Sequence, residues 1–288
     1  MAAPSPPTAT AAGELTLGGD MPVRRLGFGA MRITGEGIWG EPGDRDGALA
    51  LLRRVLELDV NLIDTADSYG PAVSEELIAE ALHPYPPDLV IATKGGLTRP
   101  GPGRWVPDCH PSRLKECCEM SLRRLKLDAI DLYQLHTPDP NVPFAESIGA
   151  LAELRDEGKI RHVGLSNVGV GHVEQAQEIV PIVSVQNRYS VTARDSEDVL
   201  KECEDRGLGF IPWFPLDAGR VGQDVLAEVA AAHDATPMQV ALAWLLQHSG
   251  AMLPIPGTSS VQHLEENVAA AALHLTEEEL ARLEESGG

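Results

Sequence analysis

Four polar residues stand at or just beyond the ends of short apolar runs. They are Asp64 in Asn61-Leu-Ile-Asp-Thr-Ala-Asp-Ser-Tyr-Gly, Tyr69 five residues on, Lys94 in Val90-Ile-Ala-Thr-Lys-Gly, and His136 in Asp131-Leu-Tyr-Gln-Leu-His. Singly, each has an ordinary explanation as a solvated loop residue or a hydrogen-bonded structural histidine. Brought to one place they form an acid-catalysis set. A phenol with a pKa of about 10 is a poor proton donor at neutral pH unless a neighbouring ammonium stabilises its phenolate. Lys94 can supply that charge, a carboxylate such as Asp64 would keep the lysine protonated, and His136 can position a carbonyl oxygen by a hydrogen bond.

The elements that must bring them together are legible as runs rich in β-branched and aliphatic residues. Eight recur, at 26–31, 61–65, 89–94, 129–136, 160–166, 182–186, 209–215 and 252–256. Stretches with helical apolar spacing lie between them, such as Leu49, Leu52, Val55 and Leu56, then Leu114, Cys117, Cys118, Ser121 and Leu122. Pro111 at a first helical position, Glu75-Glu76 after Ser74, and Thr276 with Glu279 as a capping box mark helix starts. Leu15 and Leu17 before Gly18-Gly19-Asp20 predict a hairpin that leads into the first strand. Eight β/α alternations predict an α/β fold, a (β/α)8 TIM barrel with an N-terminal β-hairpin, whose active site gathers at the carboxyl ends of the strands. An open doubly wound sheet is the alternative, but the turn Gly27-Phe-Gly-Ala-Met-Arg32 lacks the third glycine of a dinucleotide fingerprint. Residues 1–12, all Ala, Pro, Ser and Thr after Met1, read as a disordered tail, and 13–288 as a single domain.

The chain resembles an aldo-keto reductase over nearly its whole length. Asp64, Tyr69, Lys94 and His136 match the family's tetrad in chain order and context. Histidine rather than glutamate at the last position implies reduction of C=O in preference to C=C. The resemblance implies a nicotinamide cofactor whose carboxamide is held by Ser166, Asn167 and Gln186, with Trp213 where the family often stacks a tyrosine on the ring. Pro215 and Leu216 begin the stretch that crosses the pyrophosphate. The segment with Gly257, Thr258, Ser259, Ser260 and His263 resembles the grip on the adenosine 2′-phosphate, with Asn267, and more weakly Glu266, against the adenine. Some branches of the family carry Lys and Arg at the positions of Gly257 and His263. Without those cations, selection of NADPH rests on hydroxyls and a helix N-terminus. NADP(H) is the expected cofactor and NAD(H) the alternative.

Arg32, Trp39 and Trp105 are candidates to roof a small-molecule carbonyl substrate, and no metal is expected, since there is no H-x-H pair or H-E-x-x-H motif. The resemblance extends to a bacterial branch that includes pyridoxal reductases, so reduction of pyridoxal is the narrower expectation. A cofactor-sensing binding protein of the same fold, like channel-associated β subunits, is the alternative from another class.

Only 23 Lys and Arg face 43 Asp and Glu, a formal charge of −20, which would repel a nucleic-acid backbone. No apolar run approaches the roughly 18 residues of a membrane span. The four cysteines, Cys109, Cys117, Cys118 and Cys203, show no disulfide or zinc spacing, and no secretory leader is recognisable, so a cytoplasmic monomer or homo-oligomer is expected.

Overall fold

A computed structural model gives the fold, and the structure describes residues 7–214 and 223–286. The predicted hairpin forms from β1 (Glu14–Leu17) and β2 (Met21–Arg24), antiparallel, with Gly18 and Gly19 at positive φ in its turn. Seven of the expected strands form one parallel sheet. In chain order they are β3 (Phe28–Gly29), β4 (Leu62–Asp64), β5 (Val90–Gly95), then, after a separate antiparallel pair β6 (Leu97–Gly101) and β7 (Arg104–Pro107), β8 (Ile130–Leu135), β9 (Ile160–Ser166), β10 (Ile182–Arg188) and β11 (Gly209–Trp213). Within the sheet each pairs with the next in that order.

Residues 252–256 close the circle. Phe210 donates its N–H to Ala251 and Leu253 donates to Phe210 on one side, while Gly27 and Gly29 donate to Pro254 and Pro256 on the other. The two prolines bring no N–H of their own, which is why this eighth stave carries only half a ladder toward β3. The result is a (β/α)8 barrel.

The crossovers supply α1 (Arg45–Glu57), α2 (Val73–Leu82), α3 (Pro111–Leu125), α4 (Phe144–Asp156), α5 (Val170–Gln177) and α6 (Glu197–Arg206). Then α7 (Gln223–Ala232) and α8 (Pro237–His248) precede the last stave, and α9 (Val261–Ala269) and α10 (Glu277–Ser286) follow it. None of these helices is long and apolar enough to cross a membrane. Pro111 opens α3 and Thr276 exchanges hydrogen bonds with Glu279, as expected. Glu75 and Glu76 stand in the first turn of α2, as expected, and Glu75 is in addition fully buried there, accepting from Thr93 Oγ1 and Arg124 Nε, both at 2.6 Å.

The interior of the barrel is filled by Leu62, Val90, Ala92, Leu132, Val183, Ile211, Leu253 and Ile255. Leu17, Met21 and Val23 of the hairpin join that cluster and stop the amino end of the barrel. The expected disordered tail is corrected in part. Ala9–Ala12 forms a 3-10 turn, its Ala9 N–H donates to Leu58 O at 2.9 Å, and Ala9 and Ala12 are buried in a core cluster with Leu58 and Ala271; residues 1–6 lie outside the described ones.

Candidate active site

At the carboxyl end of the barrel, β4 ends on Asp64 and β5 carries Lys94 one residue from its end. Both are buried, Lys94 to 0% exposure. A buried ammonium needs a counter-charge and partners for its three N–H groups. Lys94 Nζ has them: Asp64 Oδ1 at 2.6 Å, the Thr65 carbonyl at 2.8 Å and the Tyr69 hydroxyl at 3.4 Å.

Tyr69 reaches the lysine because the turn after β4 is pinned to β5: Thr65 N–H donates to Ala92 O and Asp67 N–H to Lys94 O. Gly70 completes the turn at φ +100°, and a Cβ there would lie 2.5 Å from that of Val73. Asp64 has two further donors, Gln186 Nε2 at 2.8 Å and Gln134 Nε2 at 3.0 Å, both on Oδ2. His136, just past β8, stacks edge-on to Tyr69 with ring centroids 5.9 Å apart, and Ser68 Oγ lies 3.4 Å from its Nδ1.

These surroundings set protonation. Burial drives the Tyr69 phenol up, Lys94 opposes this, and the phenol ends above its ordinary value of 10.0. The expectation that the ammonium makes this phenol unusually acidic is therefore corrected, because desolvation outweighs it. Burial alone would discharge Lys94, but Asp64 and then Tyr69 outweigh it and raise its pKa. Burial, and next the Lys94 charge, hold His136 well below the usual imidazole value, so its ring is neutral.

Tyr69 and His136 face a cavity of about 650 Å3. Ser166, Asn167, Gln186 and Trp213 line it from the ends of β9, β10 and β11, and Gly257, Thr258, Ser259 and His263 from the opposite rim. Asn167, held at φ +58°, donates to His136 O and accepts from Trp213 Nε1 at 3.0 Å, which fixes the indole plane. Ser260 caps α9 by accepting from His263 N–H, and Thr258 Oγ1 accepts from Ser260 N–H, so a helix N-terminus is presented beside the rim.

Arg32 and Trp105 line the cavity too. The side-chain stem of Arg32 passes 3.6 Å from where a Cβ on Gly257 would stand. Five expected residues sit elsewhere, among them Ser260, which caps α9, and Glu266 farther along that helix. Lys94 lies behind Tyr69 and does not face the cavity. Asn267, a turn and a half along α9, is buried among Leu264 and Val268, and Trp39 stands one layer back against Arg99. Pro215 and Leu216 lie outside the described residues.

Sequence reasoning missed Gln134, Ser68, Asp67 and Arg99. Gln134 carries a signal, a polar side chain inside an apolar strand. The β6–β7 hairpin around Arg99 carries another in its Pro-Gly-Pro-Gly turn.

The chain matches the model of the aldo/keto reductase family over residues 25–287. It is 50% identical to an uncharacterised oxidoreductase of Schizosaccharomyces pombe over 99% of this chain and 94% of that one. It is 45% identical to the pyridoxine 4-dehydrogenase of Escherichia coli, over 92% and 96%. The crystal structure of an aldo/keto reductase from Klebsiella pneumoniae in complex with NADP and acetate superposes with a TM-score of 0.82 at 28% identity, covering 95% of each chain.

Proposed function

From the premise that this chain belongs to the aldo/keto reductase family, we propose that it reduces an aldehyde or ketone to the alcohol with NADPH, Tyr69 acting as the general acid. The observation that carries this reading is the buried Asp64–Lys94–Tyr69 chain opening, with His136, into a cavity whose other wall suits a nicotinamide nucleotide. The fit to the cofactor rests on chemistry present at that wall. Ser166, Asn167 and Gln186 offer the donors and acceptors a carboxamide needs, Trp213 offers a flat face, and the amino end of α9 with Thr258, Ser259, Arg32 and His263 suits phosphates.

A reduced nicotinamide, held by Ser166, Asn167, Gln186 and Trp213, would supply a hydride for the carbonyl carbon. The remaining work falls to the chain. Neutral His136 donates a hydrogen bond that orients the carbonyl oxygen, and Tyr69 gives up its proton as that oxygen becomes an alkoxide. Lys94 then stabilises the phenolate left behind, and Asp64, braced by Gln134 and Gln186, keeps the lysine charged. Gln186 thus touches both the candidate carboxamide subsite and the acid relay.

The narrower proposal, pyridoxal as substrate, draws support from the 45% identity to a pyridoxine 4-dehydrogenase. The test is loss of absorbance at 340 nm with NADPH against a panel of carbonyls that includes pyridoxal, repeated with NADH. Tyr69→Phe is expected to lower kcat by about 10²- to 10⁴-fold. Unchanged turnover in that variant, or no oxidation of NADPH by the wild type, overturns the reading, and a stable partner protein in the latter case points to cofactor sensing instead.

A further inference from the structure

Arg99 is buried, 8% exposed, and makes no ion pair with a carboxylate among the described residues. An arginine in that position is costly unless its donors and faces are met in other ways. Four of its five N–H groups and one of its faces are met. Nε donates to Arg104 O at 3.2 Å, Nη1 donates to both Ile38 O at 3.0 Å and Ser68 O at 3.1 Å, and Nη2 donates to Gly37 O at 3.3 Å. Trp105 covers one face of the guanidinium with its ring centroid 3.6 Å from Cζ, and Trp39 lies 5.5 Å away.

With four of five N–H groups on carbonyls and an indole over its plane, Arg99 has no fork left to receive an anion. What it does is join three segments that share no strand: the loop at 37–39, the turn that carries Tyr69, and the β6–β7 hairpin. Trp105, on that hairpin, faces the cavity, and its ring lies 6.4 Å from both Tyr69 and His136 in edge-on contact.

We propose that Arg99 is a positioning residue that locks Trp105 as the wall against which a flat aromatic or heteroaromatic carbonyl compound packs. This rests on the reductase reading above and adds to it the element that selects among carbonyls. A lysine cannot replace it, because a single ammonium reaches at most three acceptors and presents no plane to an indole.

The experiment compares wild type, Arg99→Lys, Trp105→Phe and the double variant on an aromatic aldehyde and on propanal, with NADPH affinity measured by fluorescence titration. R99K is expected to raise KM for the aromatic aldehyde about tenfold, of the size seen when a pocket contact is lost, with KM for propanal and cofactor affinity within about twofold of wild type. The double variant should be no worse than W105F alone, because the two residues act as one unit. Equal losses on both aldehydes, or additive losses in the double variant, overturn the proposal. Acrylamide quenching of tryptophan fluorescence gives a second readout that needs no turnover. R99K should enlarge the quenched fraction, and most of that increase should vanish in the W105F background; no increase refutes the positioning role. If R99K does not accumulate as folded protein, Arg99→Met carries the same expectations. Failure of the wild type to reduce either aldehyde removes the reductase reading and the substrate part of this inference, while quenching still decides whether Arg99 holds Trp105.

Discussion

Asp64 and Asp67 leave the same turn, are both buried, and have opposite surroundings. The inner one, Asp64, takes hydrogen bonds from Lys94, Gln134 and Gln186. The outer one has the Cys117 thiol as a donor, one oxygen, Oδ1, with no partner, and the carboxylate of Glu75 nearby, so burial first and Glu75 second push its pKa up to about 7. A carboxylate under the barrel mouth is thus paired and braced, while one three residues on is left in conflict. Burial alone decides nothing about a carboxylate's role; what decides it is how many donors the fold aims at it.

The sharpest way to break this contrast is to remove each charge in turn. Asp64→Asn strands Lys94 without its counter-ion and should lower stability by about 3–5 kcal/mol, read from the urea midpoint, together with reduction at saturating aldehyde. A fully active, fully stable D64N would dissolve the distinction. Gln134→Leu removes one of three donors and should lower stability by about 1–2 kcal/mol, with a several-fold fall in kcat and little change in cofactor affinity.

Asp67→Asn should act with the opposite sign. The folded carboxyl keeps its proton until about pH 7, whereas an unfolded aspartate releases it near 3.8. Between those values the folded state holds the extra proton, so the stability this group contributes is full below the lower value and is lost as pH rises through the upper one. D67N should therefore be more stable than wild type by about 1–2 kcal/mol at pH 8.5, and that advantage should shrink at pH 5, as thermal melts at the two pH values would show. A constant difference would mean that Asp67 does not titrate in that window. The smallest effect is expected from pH on reduction itself. His136 is lowered and Tyr69 raised, so kcat should stay flat across neutral pH and fall only as Tyr69 loses its proton above about 10; an inflection near 6.5 would show His136 titrating in turnover.

The sequence displays much of this and hides the rest for physical reasons. Local patterns give the hairpin, the strands and the Pro111 and Thr276 helix starts, because period and capping are short-range properties. Asp64, Tyr69, Lys94 and His136 are visible because each follows an apolar run. The eighth stave, at 252–256, reads as a strand by composition yet bonds sparsely, since Pro254 and Pro256 cannot donate. Gln134, Asp67 and Arg99 stayed out of view because each depends on a partner far along the chain, such as Asp64 for Gln134, Cys117 for Asp67 and Ile38 for Arg99. Glu75 marks the start of α2 as read, but its pairing with Thr93 and Arg124 stayed hidden for the same reason.

The two prolines of the closing stave have a further result. Amide hydrogens cross that joint from Gly27 and Gly29 alone, with none returned from positions 254 and 256. A seam fastened from one side opens more readily than a full ladder, so deuterium should enter at Gly27 and Gly29 sooner than along β9 and β10. The residues hanging directly from that seam, 257–260, are those we propose to meet a nucleotide phosphate. A nucleotide that binds there would clasp the hoop shut, and slower exchange at those two glycines would register its arrival.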